Sequence, residues 1–398
     1  MALKSLIKYL TLLATANLLY CDIGDLSLLK QKSLELEKKI NQKSSTNQKY
    51  SWIKPIIASY SYSKSDQFSI KNRSRYFRIS IDQPIFKSGG IYFAIKYSDA
   101  NREFNEILRS LKEKNLIKKL YKTVIEIQKI DLNIKKSKLE IANANIDIKR
   151  KKEQFNAGII DSSFLDTALL KKDAIKSALV DLKSKKDALL MEFKTLSDKD
   201  YKDIKLPTFH EISKDEFIKK NIELQKFKTK SHEARYLKDI TISSYLPTIS
   251  LFGEYSNKDD SYKLFKAQAR EYKNYGIRVS MPILDINMLR KIEVDKLKYL
   301  KSKIDLLDKQ KEVEFDFDLF KRRLTNLKRK LKIAKDSIKS YTKLIENTKD
   351  GLKAGEKSSL DLKNLQNSKN ISKLDLMIIK KDINLLYLDL FTKMSDEI

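Results

Sequence analysis

The sequence predicts an internally duplicated membrane protein of mixed α and β class, in which long coiled-coil helical hairpins continue short β-strands. Gly158 follows Pro84 by 74 residues and Gly355 follows Pro282 by 73, so one unit occurs twice. Alternation of apolar and polar residues accompanies each of these prolines. Long heptad-patterned runs without proline or glycine follow, from Asp99 to Ala157 and again in the second half. The repeats are predicted to cover 22–206 and 207–398.

The N-terminus has the pattern of a secretory signal peptide, which we place at 1–21. Lys4 and Lys8 precede an uncharged stretch from Tyr9 to Cys21, which is too short to span a bilayer as a helix. Cleavage fits either the Ala-x-Ala pair at 14–16 or a later position beside Cys21. A lipidated Cys21 is the alternative, although the preceding Tyr20 is large. As the only cysteine, Cys21 leaves no disulfide framework.

Four segments alternate between apolar and polar side chains and are predicted to be strands, at about 55–63, 76–86, 248–256 and 275–284. Successive strand residues face opposite sides, so each segment has one apolar face and one polar face. The remaining chain is charged helix and offers no second sheet to cover the apolar face. The pattern therefore favours a transmembrane barrel with lipid outside and water inside. The candidate lumen residues are Arg78, Asp82, Glu254 and Arg278.

Four strands cannot close a barrel, and an open edge is not stable in lipid, so closure requires several copies of the chain. The segments from Lys64 to Arg75 and from Asn257 to Asn274 are expected to be the outward hairpin loops.

Heptad spacing predicts a helical hairpin in each repeat, at about 90–197 with its tip at 158 and at about 287–396 with its tip at 355. The apolar heptad positions are Leu120, Ile127, Ile134, Ile141, Ile148 and Phe155 in the first hairpin, and Phe320, Leu324, Leu327, Leu331, Ala334, Ile338, Tyr341 and Ile345 in the second.

The excess of 82 Lys+Arg over 53 Asp+Glu gives a net charge of +29, which alone would suggest nucleic acid or anionic lipid as a partner. The lysines are spread along the chain, however, as expected for solvated helix faces and a biased genomic composition. No catalytic constellation or glycine-rich phosphate loop is present, and His210 and His232 are isolated. We therefore expect neither an enzyme nor a cofactor or metal site.

The sequence resembles the TolC-type outer-membrane efflux proteins over nearly the whole mature chain. The order, duplication and spacing of four segments carry the resemblance, namely 245–249 (YLPTI), 83–90 (QPIFKSGG), 155–158 (FNAG) and 352–355 (LKAG). It implies a homotrimer whose protomers each give four strands to a 12-stranded barrel, continued by a periplasmic α-helical tunnel. Its implied partners are outer-membrane lipid, a periplasmic adaptor protein and an inner-membrane pump. Its implied role is a passive exit duct for tripartite efflux or type I secretion.

By this resemblance, the turns at Gly158 and Gly355 are the periplasmic tips where adaptors dock. Asp361 matches the first of two aspartates that form constricting rings, whereas Asn364 occupies the second position. Three Asp361 carboxylates around a threefold axis would attract cations. Lys357 matches a basic residue that latches the closed entrance in some members.

In the first repeat Phe164 replaces the acidic latch partner, and Asp161 and Asp166 are carboxylates that could compensate. Helix capping is the competing explanation, since Ser163 with Asp166 and Ser358 with Asp361 both fit the S-x-x-[DE] pattern. Both roles can coexist.

Two other functional classes compete with the duct. One is an envelope or secreted coiled-coil structural protein or adhesin, which would not need paired strands at matched positions in both repeats. The other is a basic coiled-coil nucleic-acid binder, which a signal peptide and lipid-type strands disfavour.

Overall fold

The computed structural model describes residues 23–67, 70–262 and 265–395. The expected signal peptide at 1–21, with Cys21, lies outside them. Contacts divide the chain into two compact units, each of which draws on both sequence repeats. The first contains described residues 23–35, 110–222 and 312–395, and the second contains 36–109 and 223–311 apart from the two short gaps.

The described residues form seven α-helices, preceded by a 3-10 turn at Ile23–Asp25. The helices are α1 (Leu28–Lys49), α2 (Gly90–Asn156), α3 (Ser162–Leu196), α4 (Lys214–Lys220), α5 (Ile222–Ser243), α6 (Met288–Lys353) and α7 (Ser359–Phe391). The two predicted helical hairpins are thus α2 with α3 and α6 with α7. The helices α1, α4 and α5 were not predicted, because polar residues interrupt their apolar patterns.

The second unit contains one antiparallel sheet in the order β1 (Ile57–Gln67), β2 (Ile70–Phe86), β3 (Thr248–Tyr262) and β4 (Phe265–Ser280). Among the described residues β1 and β4 each pair on one side only, so the sheet has two open edges. The register places the predicted apolar residues on one face, as in the row Ala58, Ile79 and Tyr255. Side chains on this face are exposed to 66% at Tyr60 and 84% at Tyr275.

The strands extend well beyond the predicted ends, and the expected loops at 64–75 and 257–274 are mostly paired strand. Lys64 pairs with Arg73, and Asn257 pairs with Glu271. Alternation continues there, but charged residues replace the apolar ones, so hydrophobicity alone could not detect it. Conversely, β4 ends at Ser280 rather than 284, because Pro282 lacks an amide donor for the ladder.

The heptad seams are confirmed where the helices pack most tightly. In the first unit Leu120 and Ile127 of α2 are fully buried and join Phe193 of α3 in one apolar cluster. A second cluster joins Phe317 and Phe320 of α6 to other apolar residues, namely Ile212, Phe217, Val313, Leu324, Leu390, Phe391 and Met394. Burial decreases along α2 until Phe155 near the tip is 42% exposed.

Candidate functional site

Both hairpin tips end their first helix with the same hydrogen-bonded turn. The amide of Gly158 donates to Phe155 at 2.9 Å, while that of Ile159 donates to Gln154 at 2.9 Å. Gly355 and the residue after it repeat this pair of bonds, which is the Schellman motif. The motif requires a left-handed residue, and φ is +69° at Gly158 and +77° at Gly355. The two repeats are therefore equivalent in backbone structure at their tips.

The residue three positions after each glycine caps the next helix, and here the repeats differ. Asp161 is the N-cap of α3, and its carboxylate accepts from the Ser163 amide at 2.8 Å. This bond lowers the pKa of Asp161. The expectation that Ser163 and Asp166 form a capping box was wrong, because Ser163 already lies inside the helix. Asp166 is exposed on the first turns of α3.

Ser358 and Asp361 form the expected capping box at the start of α7. The amide of Asp361 donates to Ser358 Oγ at 3.2 Å, and the Ser358 amide donates to Asp361 Oδ2 at 3.1 Å. Asp361 Oδ1 also accepts a hydrogen bond from the Arg150 guanidinium of α2, to which it is ion-paired. The bonds from Ser358 and the charge of Arg150 lower the pKa of Asp361. Capping and pairing thus coexist at this carboxylate.

The other predicted gate residues are placed differently. Lys357 is exposed in the turn before α7, and its amide donates to Gly351 at 3.2 Å. Asn364 is half-buried, and its carbonyl accepts from Ser368. Phe164 is 56% exposed on α3.

Arg150 belongs to a ladder of polar contacts between α2 and α7 that sequence reasoning missed. Successive contacts from Lys129 to Arg150 are seven residues apart on both helices. The pairs are Lys129 with Asp382, Lys136 with Asp375, Asn143 with Asn367 and Ser368, and Arg150 with Asp361. A further ion pair joins Lys118 to Asp389. Basic residues on one helix and acidic residues on the other, both at heptad spacing, are the signal that could have revealed it.

In the second unit, the four predicted lumen residues form two cross-strand ion pairs on the polar face of the sheet. Arg78 donates to Glu254 at 2.7 Å between β2 and β3. Arg278 of β4 donates to Asp82 of β2 and lies 4.6 Å from the ring centroid of Phe252. Together the two ion pairs involve three strands. In each pair the positive charge of an arginine is balanced by a neighbouring carboxylate.

Among the helices that the structure describes, none has the length and apolar character needed to cross a bilayer. Within residues 23–67, 70–262 and 265–395, no three side chains of the metal-binding types are grouped to hold an ion. His210 and His232 are both exposed.

No protein-family model and no curated protein matches the sequence. The fold is nevertheless similar to those of several solved outer-membrane channels. The Campylobacter jejuni CmeC outer membrane channel matches with a TM-score of 0.72 at 16% identity, over 95% of this chain and 86% of that one. The outer membrane protein VceC from Vibrio cholerae matches with a TM-score of 0.70 at 10% identity, over 92% and 93%. The open state of the Neisseria gonorrhoeae MtrE outer membrane channel matches with a TM-score of 0.62 at 13% identity, over 91% of this chain and 85% of that one. At these identities the likeness shows a TolC-type protomer fold.

Proposed function

We propose that this protein is a passive exit duct of the outer membrane, assembled from three copies and extending into the periplasm. It would export substrates that an inner-membrane transporter delivers through a periplasmic adaptor. One observation carries the proposal: the sheet combines an exposed apolar face, an ion-paired polar face and two open edges. The exposed apolar face is suited to contact with lipid, and the ion-paired polar face is suited to a water-filled lumen. The two open edges can be paired only by further copies of the chain.

The fold supports this proposal, because CmeC and MtrE are described as outer membrane channels. Three copies of a four-stranded sheet would close into one barrel, with Arg78, Asp82, Glu254 and Arg278 facing its lumen.

The tips would provide gating and docking. We place the adaptor contacts at the equivalent turns of Gly158 and Gly355. Asp361 would form the cation-attracting collar, with Lys357, Asn364, Asp161 and Asp166 around it. Because Arg150 pairs with Asp361 in the same chain, part of the collar's negative charge is neutralised in this arrangement. Breaking that pair would then both remove a link between α2 and α7 and strengthen the collar.

The assembly is tested by extracting the protein from membranes with detergent. We expect a trimer that dissociates on heating and forms channels in planar lipid bilayers. A water-soluble monomer without channel activity would refute the proposal.

The collar is tested separately by Asp361→Ala, with Asp336→Ala as the matched control. Removal of the Asp361 carboxylate should reduce cation selectivity or block by multivalent cations. The control should not, because Asp336 lies on the exposed surface of α6, 19 residues before the tip glycine Gly355. Unchanged selectivity in Asp361→Ala would leave this residue as a helix cap and an ion-pair partner of Arg150 only.

A further inference from the structure

The apolar face of the sheet ends at a sharp chemical boundary on every strand. Toward the hairpin turns, the continuous apolar run of this face ends on an aromatic residue in all four strands, namely Tyr62, Phe77, Tyr255 and Tyr275; on β4, Ala269 follows farther out, beyond two charged residues. The next residue on the same face is polar in every strand. We call these four residues the boundary row, and they are Lys64, Arg75, Asn257 and Lys273.

The register shows that the boundary row shifts by the same amount from each strand to the next. Lys64 pairs with Arg73, which lies two residues before Arg75. Arg75 pairs with Asp259, two residues from Asn257, which in turn pairs with Glu271, two residues from Lys273. The boundary therefore moves two residues at each strand, always toward the strand ends that lead into helices.

Such a shift is what a flat membrane surface produces on a barrel. For strands about 4.8 Å apart and tilted by about 45°, a level plane moves about 5 Å along each successive strand, or roughly 1.5 residues. Residues on one face recur every second position, so the nearest step is two. The boundary row therefore follows one depth in the membrane.

Charges are sorted by sign across this boundary. The boundary row contains three cations, one amide and no carboxylate. The residues one step farther out on the same face include three carboxylates, Asp66, Asp259 and Glu271, together with Arg73. Lysines spread evenly along a basic chain would not exclude carboxylates from one level and place them at the next.

The cations of the boundary row are exposed beside aromatic rings. Lys64 Nζ lies 5.7 Å from the ring centroid of Tyr62, and Lys273 Nζ lies 6.0 Å from that of Tyr255. Lys273 is 68% exposed and only 4.0 Å from Glu271, at the limit of an ion pair. The stems of these side chains can thus cover apolar surface while their charges point to the headgroup level.

We propose that the boundary row binds the phosphate groups of anionic phospholipids in the leaflet at the hairpin end of the barrel. This inference rests on the proposed membrane function. Aromatic rings favour the interface of a bilayer, and cations just beyond them meet the phosphates. The guanidinium of Arg75 can engage a phosphate through two hydrogen bonds. The carboxylates lie one step farther out than the phosphate level, where they do not repel the lipid.

The experiment measures which lipid lies next to the boundary row. Trp52, the only tryptophan, is replaced by Phe, and Phe77→Trp provides a single reporter beside Arg75. The trimer is reconstituted in vesicles of phosphatidylglycerol and phosphatidylcholine, with one of the two lipids brominated to quench the reporter. Since a cation near a membrane surface contributes about 1 kcal/mol, equivalent to about fivefold in binding, we expect phosphatidylglycerol to be preferred about five- to tenfold at low salt.

The variant Lys64→Gln/Arg75→Gln/Lys273→Gln should reduce this preference to about one. Its matched control, Lys332→Gln/Lys335→Gln/Lys339→Gln, removes three exposed lysines from α6 and should keep the preference. If the triple variant fails to insert, Arg75→Gln alone should lower the preference about two- to fivefold.

The outcomes separate this inference from the proposed function. Equal quenching by both lipids in protein that still forms channels would overturn the lipid site and leave the duct intact. A preference that survives in the boundary-row variant would also overturn it. Failure of either lipid to quench, with no channels, would refute the duct and the lipid site together.

Discussion

Asp361 carries two interactions with separable consequences, so single substitutions should divide its roles. Arg150→Met removes the ion pair while keeping a side chain of similar length. Ser358→Ala removes the hydroxyl that caps the first turn of α7. The side chains of Arg150 and Asp361 are 35% and 37% exposed, so solvent screens the pair and its contribution is about 0.5–1 kcal/mol. The cap contributes about 1 kcal/mol by comparison with other N-cap serines.

Two measurements distinguish these losses. Arg150→Met should raise the open probability of the reconstituted channel about two- to fivefold, the equilibrium ratio that corresponds to 0.5–1 kcal/mol. It should leave hydrogen exchange of the first turn of α7 unchanged. Ser358→Ala should raise exchange in peptides covering 358–362 about fivefold, because the Asp361 amide loses the Ser358 hydroxyl and keeps only the Ser358 carbonyl as acceptor.

The pH dependence follows from the lowered pKa of Asp361. A depressed carboxyl pKa means that its stabilisation is present above the unfolded value of about 4 and is lost as pH falls through the folded value. The open probabilities of Arg150→Met and the original protein should therefore become equal only in strongly acidic solution. Equal exchange of the first turn in Arg150→Met and Ser358→Ala would refute the division of roles, as would an Asp361→Asn variant that behaves like the unmodified protein.

Three further outcomes are expected. Leu120→Ala should destabilise the first unit by about 2–5 kcal/mol, because loss of the fully buried leucine side chain leaves a cavity in the apolar cluster. A melting temperature equal to that of the original protein would contradict this. Burial raises the pKa of Glu233 beside Asn101, so the stability of the protein falls as pH rises from the ordinary carboxyl pKa through the raised one. Glu233→Gln should remove this decline and flatten the pH dependence of stability. A decline that persists in thermal unfolding of the variant would argue against this. Gly355→Ala should cost about 1–2 kcal/mol through its positive φ alone, because no atom lies within 4 Å of an added Cβ; a much larger loss of thermal stability would indicate a steric contact instead.

Some features could be predicted because they depend on neighbouring residues. Heptad spacing indicated α2, α3, α6 and α7, and period-2 alternation indicated all four strands. The capping box at Ser358 and the turns at Gly158 and Gly355 were likewise expected from short motifs and are present.

Other predictions were wrong where a local sequence pattern was ambiguous. Ser163 and Asp161 are both residue types that favour the N-cap position, and in the structure Asp161 occupies it. The outer halves of the strands were assigned to loops because charges occupy their lipid-side positions. Those charges became informative only once the register showed that they are offset by the same two residues from each strand to the next.

The sequence by itself determined the duplicated unit, its helices and strands, and the two chemically different faces of the sheet, since all of these arise from residues a few positions apart. Only the tertiary structure decided which distant residues meet. Arg150 reaches Asp361 across 211 positions of sequence, and the boundary row steps by two residues in the same direction at each of three strand pairings. Contacts of this kind depend on the register between elements, which local periodicity leaves open.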